Sequence, residues 1–345
     1  MPILLQPGIN APDFLLPAAE LGRTVSLAAR RDKRVVLFFF PFPCGDDLST
    51  QLTRYQERAP GFAGQDAVVI GVSAAPEDSL RQLATEKGIE FPLLSDSRPS
   101  GATAGLYGAR SDDGVILPAL FVIDEEGLVR RLYEPDPDAN LPNPAMVSRA
   151  LNKLADTPKP GPVIEDEPRW GPQEAPVVLI EYSDYECGRC AELHDLLNQI
   201  LPGYGDRVAL VHRHYLLRHS HIHAQAAAEA VEAAGAQGRF WEMHHRLFIA
   251  QQQLEREHLL KYGEEIGLDM SRFVADLDSR RFEAVVNEKF RLAVNDKVKF
   301  PPALFINRIL FEGPRSREAI SARIDILLAC TSQLEAKGGH HPRLS

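Results

Sequence analysis

The sequence predicts an α/β protein built as two domains in tandem, and three observations lead there. Short β-branched runs alternate with helical stretches, the pattern of a sheet covered by helices on both faces. A chain of 345 residues is long enough for two cores. Between two halves with a similar order of elements lies 156–176, "DTPKPGPVIEDEPRWGPQEAP", rich in Pro, Gly and acids and without periodicity. The expected division is a first domain over 1–155, a linker over 156–176, a second domain over 177–335 and a flexible tail over 336–345.

In the first half, "RVVLFFF" (34–40) reads as a buried strand and the polar stretch after it (46–59) as a helix. A strand "AVVIGVS" (67–73), a helix over 76–88 and a strand "PALFVID" (118–124) follow. A "DEEG" turn leads to a strand over 128–134, and "NPAMVSRALNKLA" should close the domain as a helix. The second half opens with a strand "VVLIEYS" (177–183), a helix beginning near Cys187 and a strand over 208–216. A long, alanine-rich helical region spans about 223–253, with two further helices after it. A hairpin "PALFINRILFEG" and the helix "SREAISARIDILLAC" complete a small sheet with a helical insertion between its halves.

Composition is that of a globular protein, with 44% hydrophobic and 25% charged residues and a mean hydropathy of -0.20. A net charge of -10 argues against a nucleic-acid partner, which calls for a basic face. "MPILLQPGINAPDF" lacks the cationic start of a secretory signal, and no run approaches the ~18 apolar residues of a membrane span. The expectation is therefore a cytosolic protein without membrane contact. Four cysteines are too few for a disulfide scaffold, so a close pair among them points to redox or metal chemistry.

That pair is Cys187-Gly-Arg-Cys190, directly after a strand and at the start of a helix. Two cysteines on a first helical turn are close enough for a disulfide, and the free N–H groups there favour a thiolate. Arg189 adds a cation that does not titrate. Together these should bring Cys187 below the free-thiol value of ~8.5, so that it attacks disulfides while Cys190 resolves the mixed disulfide. A zinc site is the competing reading, since His212, His214, His219, His221 and His223 follow in "HRHYLLRHSHIH". A structural disulfide and a pair of inert thiols are the others.

"APVVLIEYSDYECGRC", "QGRFWEMHHRLF" and "FPPALFIN" together resemble the DsbA-like thioredoxin-fold family, over about 165–330. The resemblance implies thiol–disulfide oxidoreductase chemistry with Cys187 as nucleophile, Cys190 as resolving thiol and Pro302 as a cis-proline. It also implies a buried carboxylate at Glu181, which could take the resolving thiol's proton; an exposed strand-end carboxylate is the alternative. One position departs from the family. Pro301 stands where that family usually has Thr, Val or Ile, and it has no N–H for a substrate backbone.

"PGINAPDFLLPAAELGRTVSL", "VVIGVSAAPEDSLRQLATEKGIEFPLLSD" and "LFVIDEEGLVRR" are similar to the peroxiredoxins of the alkyl hydroperoxide reductase/thiol-specific antioxidant family, over about 5–154. The fold class expected is thus two tandem thioredoxin-like folds, the second with a helical insertion. In the first, the family's hydroxyl, peroxidatic cysteine and arginine fall on Gly45, Leu48 and Pro118, so only Pro41 of that site remains. Cys44 fits better as the first cysteine of a "PCGDD" in which Asp47 replaces the second and Pro118 would be the matching cis-proline. Asp46 and Asp47 should raise its pKa, and Phe38 occupies the place of a carboxylate. Cys330, in "IDILLAC", reads as a core thiol.

The function expected is thiol–disulfide exchange through Cys187 and Cys190, with Glu181 and Pro302 in support and Arg189 as a further contributor. No cofactor and no metal are expected. Protein or small-molecule disulfides and thiols are the expected partners, with an unidentified electron donor. Two other readings stay open: a fused peroxidase in which Cys44 meets hydroperoxide and the second domain reduces it, and a first domain that only docks partners.

Overall fold

The structure is a computed structural model, and it describes residues 4–97, 99–134, 141–164 and 167–338. The chain divides into two compact units at Thr157/Pro158.

The first unit begins with a hairpin of β1 (Leu15–Pro17) and β2 (Thr24–Ser26). Its sheet holds β3 (Arg34–Phe39), β4 (Ala67–Ser73), β5 (Leu93–Ser95), β6 (Ala119–Ile123) and β7 (Val129–Tyr133) in the order β5-β4-β3-β6-β7. β3, β4 and β5 run parallel, while β6 and β7 are antiparallel to their neighbours. α1 (Asp46–Ala63), α2 (Glu77–Lys87), α3 (Ala102–Leu106) and α4 (Pro144–Asp156) complete it. β3 buries five of its six residues because both faces are covered. Phe38 packs there against Tyr55 and Phe91. Each such fully buried side chain contributes about 1.5–3 kcal/mol of burial free energy.

The second unit has the sheet order β12-β11-β9-β10-β8. Its strands are β8 (Arg169–Trp170), β9 (Val177–Ser183), β10 (Val208–His214), β11 (Ala303–Ile306) and β12 (Ile309–Leu310). β9 and β10 are parallel, and the other neighbours are antiparallel. α5 (Gly188–Ile200) links β9 to β10. The insertion between β10 and β11 holds α6 (Ala224–Gly235), α7 (Phe240–Ile249), α8 (Arg256–Glu265), α9 (Met270–Asp278) and α10 (Glu283–Asn295). α6 is its hub. Ala227, Ala228, Ala230, Ala233 and Ala234 are all buried, and small side chains let neighbouring helices approach closely.

The long helical region expected at 223–253 is thus two helices. Gly238, at φ +74°, sits between them in the left-handed conformation that ends a helix. α9, the short strands β1, β2 and β5, and α3 were not read from the sequence. The linker expected at 156–176 instead belongs mostly to the second unit. Its Trp170 pairs with Leu210 through β8, and Arg213 of β10 holds Glu167 at 2.6 Å and the carbonyl of Pro162 at 3.1 Å. The last helix, α11 (Arg317–Ala336), starts in the second unit and from Ile326 falls with the first, so the boundary at 335 is not where the units divide. Of the tail expected at 336–345, residues 339–345 lie outside the described residues.

Candidate active site

β9 carries seven consecutive buried residues, and Glu181 and Ser183 are buried among the apolar ones. The chain then turns at Asp184 and enters α5 with Cys187 as the N-cap. Asp184 is fully buried and ties three segments together. Its carboxylate accepts from the N–H of Glu186 and of Leu217, both at 2.8 Å, and lies 3.0 Å from His221 Nδ1. Gln251, just beyond α7, donates to the carbonyls of Tyr185 at 2.7 Å and Cys187 at 3.0 Å. The dithiol loop is therefore held by the segment after β10 and by the connection between α7 and α8.

Both cysteines are free thiols in this structure. Cys187 is half-buried and its pKa falls from 9.0 to about 6. The hydrogen bond from the Cys190 thiol is the largest cause, and the N–H groups of Cys190 and Arg189 add to it against the cost of burial. The exposed guanidinium of Arg189 is not among these causes; the residue acts on the sulfur through its backbone. Cys190 is fully buried and its pKa is raised, first by burial and then by its bond to Cys187. Its sulfur accepts from the N–H of Asp184 at 3.5 Å.

Behind the pair, Glu181 is wholly buried, so it is not an exposed strand-end carboxylate. Burial raises its pKa to about 7, with the Ser183 hydroxyl pulling the other way, and no hydrogen bond of good geometry closes on either oxygen. Pro301–Pro302 is a cis peptide, and Ala303 after it pairs with Tyr182 of β9. This brings the prolines beside the dithiol. A groove of about 730 Å³ opens over Cys187, lined by Arg189, Leu217, His221, Phe300 and Pro301. Phe300 is 74% exposed at its rim.

The histidines of 212–223 are dispersed rather than gathered on the cysteines. His221 lines the groove, while His219 and His223 lie elsewhere on the loop after β10. His212 and His214 are buried on β10 and meet each other and Tyr185; His212 also meets His244 of α7, which in turn meets His194 of α5. Among the described residues, ligand atoms of Glu181, His212 and His244 come within 4.8 Å of one another. Sequence reasoning missed Asp184, Tyr185, His194, His244 and Gln251. A period of two on a strand (212, 214) and a helix start "FWEMHH" were the available signals.

In the first unit, Cys44 packs half-buried against the core and precedes the N-cap Gly45 of α1. Burial raises its pKa. Leu48 is a core residue, 5% exposed. The expected cis geometry at Pro118 is not found. Among the described residues the cis bonds are Phe42–Pro43 and Pro301–Pro302, and Pro118 stands just before β6 in trans, a position where a strand tolerates its missing N–H. Cys330 is buried on α11.

Two family models match separate parts of the chain. Residues 7–132 match the AhpC/TSA family, and residues 164–326 match the thioredoxin family. The chain joins a domain that matches the AhpC/TSA family to one that matches the thioredoxin family. Both domains are thioredoxin-like. Similar solved structures are Mycobacterium tuberculosis AhpC (22% identical, 44% of this chain and 94% of that one, TM-score 0.40) and BdbD from Bacillus subtilis (18%, 52% and 99%, TM-score 0.44). Among curated relatives, the Na(+)/H(+) antiporter NhaA 3 of Salinispora tropica is 38% identical over 172 residues, 50% of this chain and 26% of the relative. NhaA 1 of Salinispora arenicola is 35% identical over 237 residues, 67% of this chain and 35% of the relative. The chain thus spans about a quarter to a third of the length of these relatives. Among the described residues, no helix is long and apolar enough to cross a membrane.

Proposed function

We propose that the second domain exchanges disulfides through Cys187 and Cys190. The observation that carries this reading is the opposite tuning of the two thiols, with Cys187 as an accessible thiolate and Cys190 as a buried thiol whose proton points at it. The Cys187 thiolate attacks one sulfur of a substrate disulfide, and the other sulfur leaves as a thiolate. Cys190 then loses its proton and attacks Cys187 Sγ. The substrate's second sulfur leaves, two electrons having passed from the dithiol to the substrate. Run backwards, the same steps oxidise a substrate dithiol.

Glu181, buried behind Cys190, is the group placed to receive that proton. The groove with Phe300 on its rim suits an extended chain with apolar side chains. Pro301 has no N–H to offer such a chain, so binding must draw on side-chain contacts. Protein or peptide disulfides are the substrates proposed. We assign Cys44 no part, because its thiol is held protonated and no second thiol stands at Asp47. Insulin-disulfide turnover tests the reading: it should vanish in Cys187→Ser, and retained turnover would overturn it.

A further inference from the structure

The buried polar cluster behind the dithiol holds more than a proton acceptor needs. Glu181 has two unpartnered oxygens, and His244 has an unpartnered Nε2, although both residues are within 1% of full burial. Orphaned polar atoms in a dry interior are costly, and two residues that carry them within reach of one another call for a common explanation.

Hydrogen bonding fixes the state of the neighbouring rings. His214 Nε2 lies 2.9 Å from Glu232 Oε1, and Lys289 pairs with the same carboxylate. His214 therefore carries its proton on Nε2 and presents a lone pair at Nδ1. His212 Nε2 lies 3.2 Å from that Nδ1 and donates to it. This leaves a lone pair on His212 Nδ1, which the Ser183 hydroxyl approaches at 3.3 Å. Tyr185 Oη stands 2.9 Å from His244 Nδ1 and holds that ring from its far side. His212 is thus oriented by a histidine held on a carboxylate, and His244 by a tyrosine hydroxyl that can accept from Nδ1 and leave the Nε2 lone pair free, an arrangement like the outer shell of a metal site. Burial also keeps both imidazoles neutral, the form that ligates.

We propose that Glu181, His212 and His244 form a binding site for a divalent transition-metal ion, with zinc the best match. Two imidazoles and one carboxylate suit zinc, which would leave a fourth position for water. Ligand atoms around tetrahedral zinc sit about 3.4 Å apart, given bonds of about 2.0–2.2 Å. The three atoms here are within 4.8 Å of one another, so side-chain adjustments of about an ångström close them on one ion. Neither cysteine is a ligand. An ion on Glu181 removes the carboxylate from proton transfer, so the metalled protein would keep Cys187 reactive but resolve mixed disulfides slowly.

The test uses the full chain with Cys187→Ser and Cys190→Ser, which removes the dithiol as a competing ligand and with it the proposed activity. Failure of the redox reading therefore leaves this result untouched. After chelator treatment and titration with ZnCl₂, elemental analysis of the dialysed protein should give one zinc per chain. X-ray absorption should show nitrogen and oxygen ligands without sulfur. His244→Gln and Glu181→Gln should each weaken binding at least tenfold. Where either variant fails to fold, ¹⁵N shifts of the imidazole nitrogens in the dithiol-free parent serve instead, and His212 and His244 should move on adding zinc while His258 does not. Absence of stoichiometric zinc, sulfur ligation, binding unchanged in both folded variants, or unmoved His212 and His244 signals would each overturn the proposal.

Discussion

The thiol of Cys190 donates a hydrogen bond to the sulfur of Cys187, and the two pKa values part in opposite directions, Cys187 falling to about 6. The tuning therefore belongs to the pair more than to Arg189. In Cys190→Ala the chief donor is gone while the helix-start N–H groups remain, so the Cys187 midpoint should rise clearly above 6 yet stay below 9. Cys190→Ser keeps a donor and should shift it less. Thiolate absorbance against pH in both variants measures this, and equal midpoints would mean the partner thiol is not the cause.

The same shift predicts how stability depends on pH. The folded pKa of Cys187 is depressed, so its contribution is fully present above the unfolded value of ~8.5 and is lost as pH falls through about 6. The reduced wild type should gain stability relative to Cys187→Ala between pH 6 and 9. Because the sulfur is half-exposed, solvent screening limits the gain to about 1–2 kcal/mol. Urea midpoints across that range, under reducing conditions, check the sign.

Arg213 should be the costliest polar residue of the second domain to remove. Its buried guanidinium meets Glu167 at 2.6 Å, Tyr182 at 2.8 Å and Asp296 at 3.5 Å. Arg213→Ala strands two carboxylates, a loss of about 3–5 kcal/mol. Arg213→Lys cannot reproduce the fork and should recover only part. Chemical denaturation of the three proteins gives the order directly.

Sequence and structure agree best where one short stretch contains both the fold signal and the chemistry. "VVLIEYSDYECGRC" is a buried strand, a turn and a helix start, so Cys187 and Cys190 could be placed from local order, and Glu181 from the family resemblance that the stretch carries. The cage around Tyr185 could not. Its rings come from β10, α5 and α7, and only packing of the insertion against the sheet brings His194, His212, His214 and His244 together. β8 was hidden for a different reason. A two-residue strand between Pro168 and Pro172 carries no periodicity, and only its antiparallel pairing with Leu210 and Val211 of β10 makes it one.

Pro301 offers a test of substrate contact. It lines the groove over Cys187 and has no N–H to give. Pro301→Thr restores a donor at that edge, so reduction of a peptide disulfide should speed up by more than reduction of 2-hydroxyethyl disulfide. Equal changes for both would show that the missing donor does not affect binding.

The two domains can be separated by their thiols. Cys44 lies half-buried with a raised pKa, so little of it is thiolate at neutral pH, and thiolate is the form that peroxide oxidises. By the family resemblance, a peroxiredoxin's hydroxyl, thiol and arginine fall on Gly45, Leu48 and Pro118, so no group is expected at those three places to polarise an O–O bond. Disulfide turnover should thus disappear in Cys187→Ser and hardly change in Cys44→Ser. Cys190→Ser should attack but not resolve, so mixed disulfides with substrate proteins should accumulate. With hydrogen peroxide, wild-type Cys44 should form sulfenic acid no faster than a free thiol of ordinary pKa, as trapping with a sulfenic-acid probe and peptide mapping would show. Rapid and selective sulfenylation of Cys44, followed by its reduction through Cys187, would make the chain a fused peroxidase and reverse the roles assigned here.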